Sequence, residues 1–310
     1  MSAGAPMTPR DGHEQLLQVA VSPGERPLGE LLRDVCPLGD ADIARILALQ
    51  AERELRFGEA ALQLGLVQPA QLQQALARQF GYACVDAAAH PHLAELSVAA
   101  DPHGPAAELW RDLRAQLMLR VPAPMPGPAR AHPTGRVLAI VSPRRGDGRS
   151  HAAANLAAAF SQLGERTVLV DADLRAPRLH RLFGLTDRPE RPGLSVLLAD
   201  PVRQPEPQRI DVLPCLALLP VGAPPPNPLE LLERGRFAAL LRDLATRFDR
   251  VIVDTPAAAD GADARVIAAA CGEALVLARR HHARAAELGA LVESLRRESV
   301  DLAGVVMRGD

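Results

Sequence analysis

The sequence predicts an α/β domain with a mostly parallel central sheet, preceded by a small all-α repeat domain. Three observations carry this. Apolar, β-branched runs starting at Val137, Thr167 and Arg250 read as buried strands. The first run passes into a turn holding Gly146 and Gly148 and then into a helical pattern from Ala152 to Leu163. Near the N-terminus, Leu28-Gly-Glu30 recurs 29 residues later as Phe57-Gly-Glu59.

Taken in order, residues 1–23 are polar and lack the apolar stretch of a signal peptide, so a disordered tail is expected. Residues 24–85 hold the repeat. Ile43, Leu47 and Gln50 recur as Leu72, Leu76 and Gln79 at the same offset. Each copy reads as two short helices, with Asp40 as an N-cap in the first and Pro69 in the first helical turn of the second. Stacked copies bury apolar faces that one copy cannot. The repeat is similar to the N-terminal module of type II secretion ATPases, some of which bind cyclic di-GMP through R-L-G…G…Q repeats. The second copy keeps Arg56, Gly58, Gly65 and Gln79 of that pattern. The first keeps Gly29 and Gln50 but has Pro27 and Cys36 at the other places. The resemblance implies either cyclic di-GMP binding or a docking domain, and the degraded first copy favours docking.

Residues 86–134 read as a linker. Within it, 106–120 is helical by pattern. Glu108, Arg111 and Arg114 fall on one side, and Leu109, Leu113 and Leu117 on the other. Five prolines between Val121 and Thr134 predict a stiff, extended connector.

Residues 135–310 form the α/β domain. Gly148, Arg149 and Ser150 fit the second half of the pattern G-x-x-x-x-G-K-[ST], with Arg for Lys and Pro143 at the first glycine. Gly146, Asp147, Gly148, Arg149, Ser150 and His151 are therefore the candidate phosphate cradle, at a helix N-terminus whose free N–H groups attract anions. The strand from Thr167 ends in Asp171 and Asp173, followed by Arg175. The strand from Arg250 ends in Asp254. Ligands bind outside the carboxyl ends of parallel strands. One such acid is usually a cap or a solvated turn, but three at one edge beside a phosphate loop point to a Mg–nucleotide site and a P-loop NTPase. Ser150 is the candidate direct Mg²⁺ ligand, and Asp254 holds the metal's water shell. Asp171 and Asp173 either orient the attacking hydroxyl or complete the metal shell. Mg²⁺ takes only one or two carboxylates, so not all three acids are direct ligands. Arg175 either neutralises developing charge or pairs with a neighbouring acid, and Asp263 reads as a helix cap. Small helices follow near Leu179, at 193–198 and from Leu229. Strands are expected at 210–213, 216–221, 272–278 and 302–307, with a helix at 284–297.

These motifs resemble the bacterial tyrosine kinases of the polysaccharide chain-length family, and within it the EpsG-type exopolysaccharide branch. The residues are the loop Ser142 to Ser150, Asp171-Ala-Asp-Leu-Arg-Ala-Pro177, Pro225 to Leu232, and Asp254-Thr-Pro256 with Asp263. The match runs from about Glu108 to the C-terminus. The resemblance implies ATP and Mg²⁺ as cofactors and phosphoryl transfer to protein tyrosine. It implies a membrane chain-length determinant as partner, and a cytoplasmic location held at the inner membrane through it. It also makes Glu108, Arg111 and Arg114 the face that packs on a neighbour in a ring-like homo-oligomer; a solvated, salt-bridged face is the plainer reading.

Three features depart from that family. The chain has no lysine, so all 35 basic residues are arginine and Arg149 shares a chain-wide bias. A planar guanidinium still supplies charge and bidentate phosphate bonds, but it fits between phosphates less well than an ammonium. The one tyrosine, Tyr82, lies outside the C-terminal cluster that many members phosphorylate. The last strand ends in Met307-Arg308 where the family leads one to expect Asn for base recognition. Composition excludes other classes. A net charge of −2 and 3% aromatic residues argue against nucleic-acid binding. No run of about 18 apolar residues suggests a membrane span. Cys36, Cys84, Cys215 and Cys271 stand far apart and read as reduced thiols. Two other functions stay open beside the kinase: an ATP-driven assembly switch, and a cyclic di-GMP-responsive regulator with weak ATPase activity.

Overall fold

The structure is a computed structural model that describes residues 26–79, 90–102, 104–120, 137–185, 192–200 and 202–309. The expected tail, the proline-rich connector, Tyr82 and Cys84 lie outside the described residues. The chain divides into two compact units between Ala83 and Cys84.

The N-terminal unit holds α1 (Leu28–Arg33), α2 (Asp40–Arg53), α3 (Phe57–Gln63) and α4 (Pro69–Gln79). The starts of α3 and α4 lie 29 residues after those of α1 and α2, so the sequence repeat is a structural one. The Asp42 carboxylate accepts the Gly39 N–H at 3.1 Å, and Glu59 accepts the Arg56 N–H at 2.9 Å. Leu32, Ile46, Ala60, Ala61 and Ala75 form one core, with Phe57 and Leu72 packed against it. Equivalent glycines do equivalent work: Gly29 lies against the Phe57 ring and Gly58 against the Leu72 side chain. Gly65 takes a left-handed φ of 66° at the turn after α3.

The second unit opens with a 3₁₀ turn (Pro91–Glu95), α5 (Ser97–Ala100) and α6 (Pro105–Arg120). Then follow β1 (Val137–Val141), α7 (Arg149–Gln162), β2 (Thr167–Asp171), α8 (Leu179–Leu182) and α9 (Leu194–Ala199). The chain continues through β3 (Gln208–Ile210), β4 (Leu213–Leu219), α10 (Pro228–Glu233), α11 (Arg236–Arg247) and β5 (Arg250–Asp254). It ends with α12 (Asp263–Cys271), β6 (Glu273–Arg279), α13 (Ala285–Arg297) and β7 (Asp301–Arg308). Seven strands run in the order β3-β4-β2-β5-β1-β6-β7. Every neighbouring pair is parallel except β3 with β4. The α/β fold with a mostly parallel sheet is therefore as the sequence predicts.

On one face, Val168, Val170, Val251 and Val253 meet Leu197, Phe237, Leu241 and Leu244 from α9 and α11. Further along, Ala139, Val141, Ala274 and Val276 meet Leu291 and Leu295 of α13. Helix α7 packs on β1, β2, β4 and β5, and also touches α5 and α6. It is buried on all sides, from Ala152 to Phe160. Its six alanines explain how: a helix this slender fits between a sheet and a second helical layer.

That second layer corrects the reading of residues 90–120 as linker. Leu93, Leu96 and Val98 are buried. Ser97 Oγ and the Val98 N–H both donate to Asn155 Oδ1, and Gln162 donates to the Val98 carbonyl at 2.9 Å. The segment covers α7; α6 shows a helical pattern in the sequence, whereas the 3₁₀ turn and α5, five and four residues long, are too short for one.

The chain crosses itself tightly where α9 begins. A Cβ on Gly193 would overlap the backbone of Val221 and Gly222. Gly193→Ala is expected to lower the melting temperature by roughly 5–10 °C, the effect of overpacking by a few kcal/mol in a domain of this size. Differential scanning calorimetry checks this; an unchanged transition would mean the crossing yields at no cost.

Candidate active site

Strand β1 ends at Val141, and the chain turns through 142–148 into α7. Gly146 and Gly148 take φ of 83° and 92°, a region that side chains disfavour. The turn is pinned from several sides. Asp147 is fully buried; it accepts the Arg144 N–H at 2.9 Å and bonds His282 Nδ1 at 2.9 Å. Arg144 makes a two-pronged bond to Glu287, and Arg145 one to Asp260. The N–H groups of Ala258 and Ala259 donate to the carbonyls of Ser142 and Pro143, both at 3.0 Å. Asp147 thus shapes the loop, its carboxylate spent within the protein. His282 was not among the residues expected from sequence. It lies 135 residues from Asp147, and nothing local marks it.

Arg149 corrects a second expectation. Its guanidinium is turned inward and only 8% exposed. Nε donates to the Thr255 carbonyl at 2.8 Å, and Nη1 donates to the Arg144 carbonyl at 2.7 Å and to the Ser142 hydroxyl. The fork that was to grip phosphate instead ties the start of α7 to the loop and to the end of β5. Its charge remains at the site, with Nε and Nη1 engaged inward.

The acids converge as the sheet requires. Asp171 and Asp254 stand opposite each other in the β2–β5 register, both fully buried. Asp171 is held by two N–H groups, those of Asp173 at 3.3 Å and Leu179 at 3.1 Å. Neither oxygen of Asp254 has a well-aligned hydrogen-bond partner. Burial pushes Asp254 up to about 7; the nearby Ser150 hydroxyl and Arg149 charge oppose the shift, and Asp173 adds to it. Burial, and then the charge of Asp254, drives Asp171 well above the usual carboxylate range. Two buried carboxylates side by side, one of them without a well-aligned partner, form a site suited to a cation. The donor set fits Mg²⁺: a carboxylate and the Ser150 hydroxyl, with phosphate oxygens and water for the rest. No cluster of three metal-binding side chains occurs among the described residues.

Asp173 accepts the N–H groups of Arg175 and Ala176 on Oδ1, leaving Oδ2 unengaged. Arg175 pairs with Asp263 through two bonds, at 3.2 and 3.0 Å. Of the two roles open to Arg175, the structure shows the ion pair. Asp263 is likewise no cap; it is a buried acid at the start of α12, neutralised by Arg175.

His151 was expected in the phosphate cradle, yet its ring turns toward α6. It packs on Trp110 with centroids 5.8 Å apart and lies 3.3 Å from Asn155 Nδ2. Burial, and next the Arg308 charge, hold its imidazole below the usual range. On α6 the expected faces are also rearranged. Glu108 is paired with Arg111 at 2.8 Å, Arg111 is largely covered, and Arg114 reaches inward to the Ala159 carbonyl of α7 at 2.6 Å. Leu117 is buried, but Leu109 is 71% exposed. The Arg114 stem runs toward the thin alanine helix while its head finds the Ala159 carbonyl, and Arg111 pairs with Glu108 on its own helix. Spacing by three could not foretell this direction.

A glycine turn leading from β1 into a helix, with carboxylates at the ends of β2 and β5, defines a P-loop NTPase. A family model described as ParA, NUBPL iron-transfer P-loop NTPase, matches residues 134–220. The chain is 32% identical over 205 residues to the putative tyrosine-protein kinase EpsB of Ralstonia solanacearum, which covers 66% of this chain and 26% of that protein. Against the putative tyrosine-protein kinase CapB of Staphylococcus aureus it is 29% identical over 167 residues, 54% of this chain and 68% of that one. Among solved structures, the chimerical protein CapA2B2 superposes with a TM-score of 0.58 at 30% identity, covering 69% of this chain and 89% of that chain. The kinase domain of Escherichia coli tyrosine kinase ETK gives 0.61 at 29% identity, covering 69% and 79%. The chain belongs to the bacterial tyrosine-kinase family of P-loop NTPases. It spans about a quarter of the length of EpsB.

Proposed function

We propose that this chain is a Mg-ATP-dependent protein-tyrosine kinase of exopolysaccharide assembly, acting on chain length or export with a membrane chain-length determinant. The observation that carries the chemistry is Asp254, a fully buried carboxylate with no well-aligned hydrogen-bond partner among the described residues, beside the phosphate loop and Ser150. The biological setting rests on the polysaccharide kinase resemblance and the tyrosine-kinase names of the relatives.

In this reading Gly146, Gly148 and the first N–H groups of α7 cradle the phosphates, and the Arg149 charge lies behind them. Ser150 and Asp254 hold Mg²⁺. When bound, the metal neutralises charge on the transferred phosphoryl group. Asp171 keeps the loop after β2 in place through its two backbone bonds, so its direct metal role recedes. Asp173 Oδ2 accepts the proton of the attacking hydroxyl. Arg175 positions that loop through Asp263. The N-terminal unit serves as a docking module; Gly29 and Gly58 are accounted for by the side chains packed on them, which leaves less for them to do toward cyclic di-GMP. No described helix is long and apolar enough to cross a membrane, so the membrane is reached through the partner. Self-association through Glu108, Arg111 and Arg114 requires the two arginines to turn outward from α7.

A second reading is favoured by the inward Arg149 and by the single tyrosine. ATP binding and slow hydrolysis would drive assembly and disassembly without phosphotyrosine. One experiment separates the two: turnover of MgATP by the purified chain, alone and with the partner's cytoplasmic tail, with phosphotyrosine read on both. Stimulated turnover with phosphotyrosine supports the kinase. Turnover without it moves the function to the switch, and no nucleotide binding at all sinks both.

A further inference from the structure

Several arginines surround the phosphate loop, and most are neutralised. Arg144 is paired with Glu287, Arg145 with Asp260 and Arg175 with Asp263. Arg149 has Nε on Thr255 and Nη1 on the loop, which turns its fork inward. Arg308, at the end of β7, differs from all of these. It has no ion-pair partner among the described residues, and it is exposed. Its side chain also lies directly over the loop. A Cβ added to Gly148 would overlap the guanidinium, with the Arg308 Cδ and Cζ atoms 3.4 Å away. With glycine at that position the two come this close without a side chain between them.

Gly148 is the last residue before α7, so the groups next to it are the N–H donors that would face a phosphate. We propose that Arg308 is a phosphate-binding residue, the free guanidinium that closes over a nucleotide's phosphate chain and supplies the contact that the inward Arg149 does not. A cation that reads the base would sit away from the loop; this one sits on it. Guanidinium suits the task, since it bonds two phosphate oxygens at once. The inference rests on the nucleotide-binding reading given above.

The test is equilibrium binding of ATP, AMP and GTP, each with Mg²⁺, to the full chain, its Arg308→Ala variant and its Arg308→Lys variant. Arg308→Ala should weaken ATP by about tenfold to a hundredfold, the range of a lost charge-assisted bond. AMP should change far less, so the preference for ATP over AMP shrinks, while the preference for ATP over GTP holds. Arg308→Lys, which restores the charge, should recover much of the loss. Because the side chain is exposed at a strand end, both variants should melt with the parent. Unchanged ATP affinity overturns the proposal. So does an equal loss for ATP and AMP, or a loss confined to the choice between ATP and GTP, which would make Arg308 a base contact. Failure of the parent chain itself to bind ATP overturns the underlying reading, and is told apart because no variant is then needed to see it.

Discussion

Asp254→Asn should lower MgATP turnover by roughly a hundredfold or more and, in the same protein freed of metal and nucleotide, raise the melting temperature. Both effects come from one observation, a fully buried carboxylate with no well-aligned hydrogen-bond partner among the described residues. Removing a group that holds charge at the reacting phosphate costs catalysis on that scale. The stability effect has the opposite sign. The folded protein holds Asp254 at about 7, against an ordinary value of 3.8. A carboxyl raised on folding contributes stability that is fully present below its ordinary value and is lost as pH rises through its folded value. At pH 8 the cost is on the order of 4 kcal/mol, about three tenfold steps at about 1.4 kcal/mol each. The metal-free parent should therefore melt progressively lower from pH 5 to pH 8. Asn carries no charge to bury, so the variant should gain roughly 5–10 °C over the parent at pH 8 and little at pH 4. Thermal melts in EDTA across that range, beside a turnover assay, check both halves. A variant that is inactive but no more stable would place the cost of the site on Asp171 instead. An active variant would remove Asp254 from the chemistry.

Stability given up for an acid that only a cation can satisfy is what an active site, rather than a structural turn, would show. Much of this was legible in the sequence because it is local. The strand ends carrying Asp171 and Asp254 are short apolar runs followed by acids, and the sheet then fixes their juxtaposition. The 29-residue repeat is likewise visible as spacing and returns as paired helix starts. What was not legible depends on partners far along the chain. Arg175 and Asp263 are 88 residues apart; Arg175 alone reads as a charge for the phosphoryl group or a partner for a nearby acid, and Asp263 alone as a cap. The directions of Arg111 and Arg114 depend on α7 being thin enough to be covered, which an alanine count permits but does not dictate. Residues 91–100 hide their role because elements of four and five residues carry no period. Helix α11 was legible and passed over: Phe237, Leu240, Leu241 and Leu244 are spaced for one buried face.

Replacing Arg149 should separate the two jobs that the sequence merged into one. Arg149→Ala removes donors from the Thr255 and Arg144 carbonyls and from the Ser142 hydroxyl, all in a covered site. Leaving such groups unsatisfied costs about 3 kcal/mol, or a drop of roughly 6–12 °C in melting temperature. Nucleotide binding should be lost with it, because the loop is no longer tied to β5 and a charge is gone. Arg149→Lys is the sharper case. An ammonium cannot span all the acceptors that the fork now joins, so some stability is lost, about 1 kcal/mol. Yet a compact charge on a flexible stem can leave the loop carbonyls and turn to the phosphates. Arg149→Lys should therefore melt a few degrees lower than the parent while turning over ATP at least as fast. Melting curves and steady-state turnover on the two variants decide the matter. Should Lys instead lower turnover tenfold, the guanidinium itself must swing out to grip the nucleotide, and its inward position would be a resting state that ATP reverses. Should Ala leave both stability and binding intact, neither the brace nor the charge is real, and the loop would hold its shape through Asp147 and the two glycines alone.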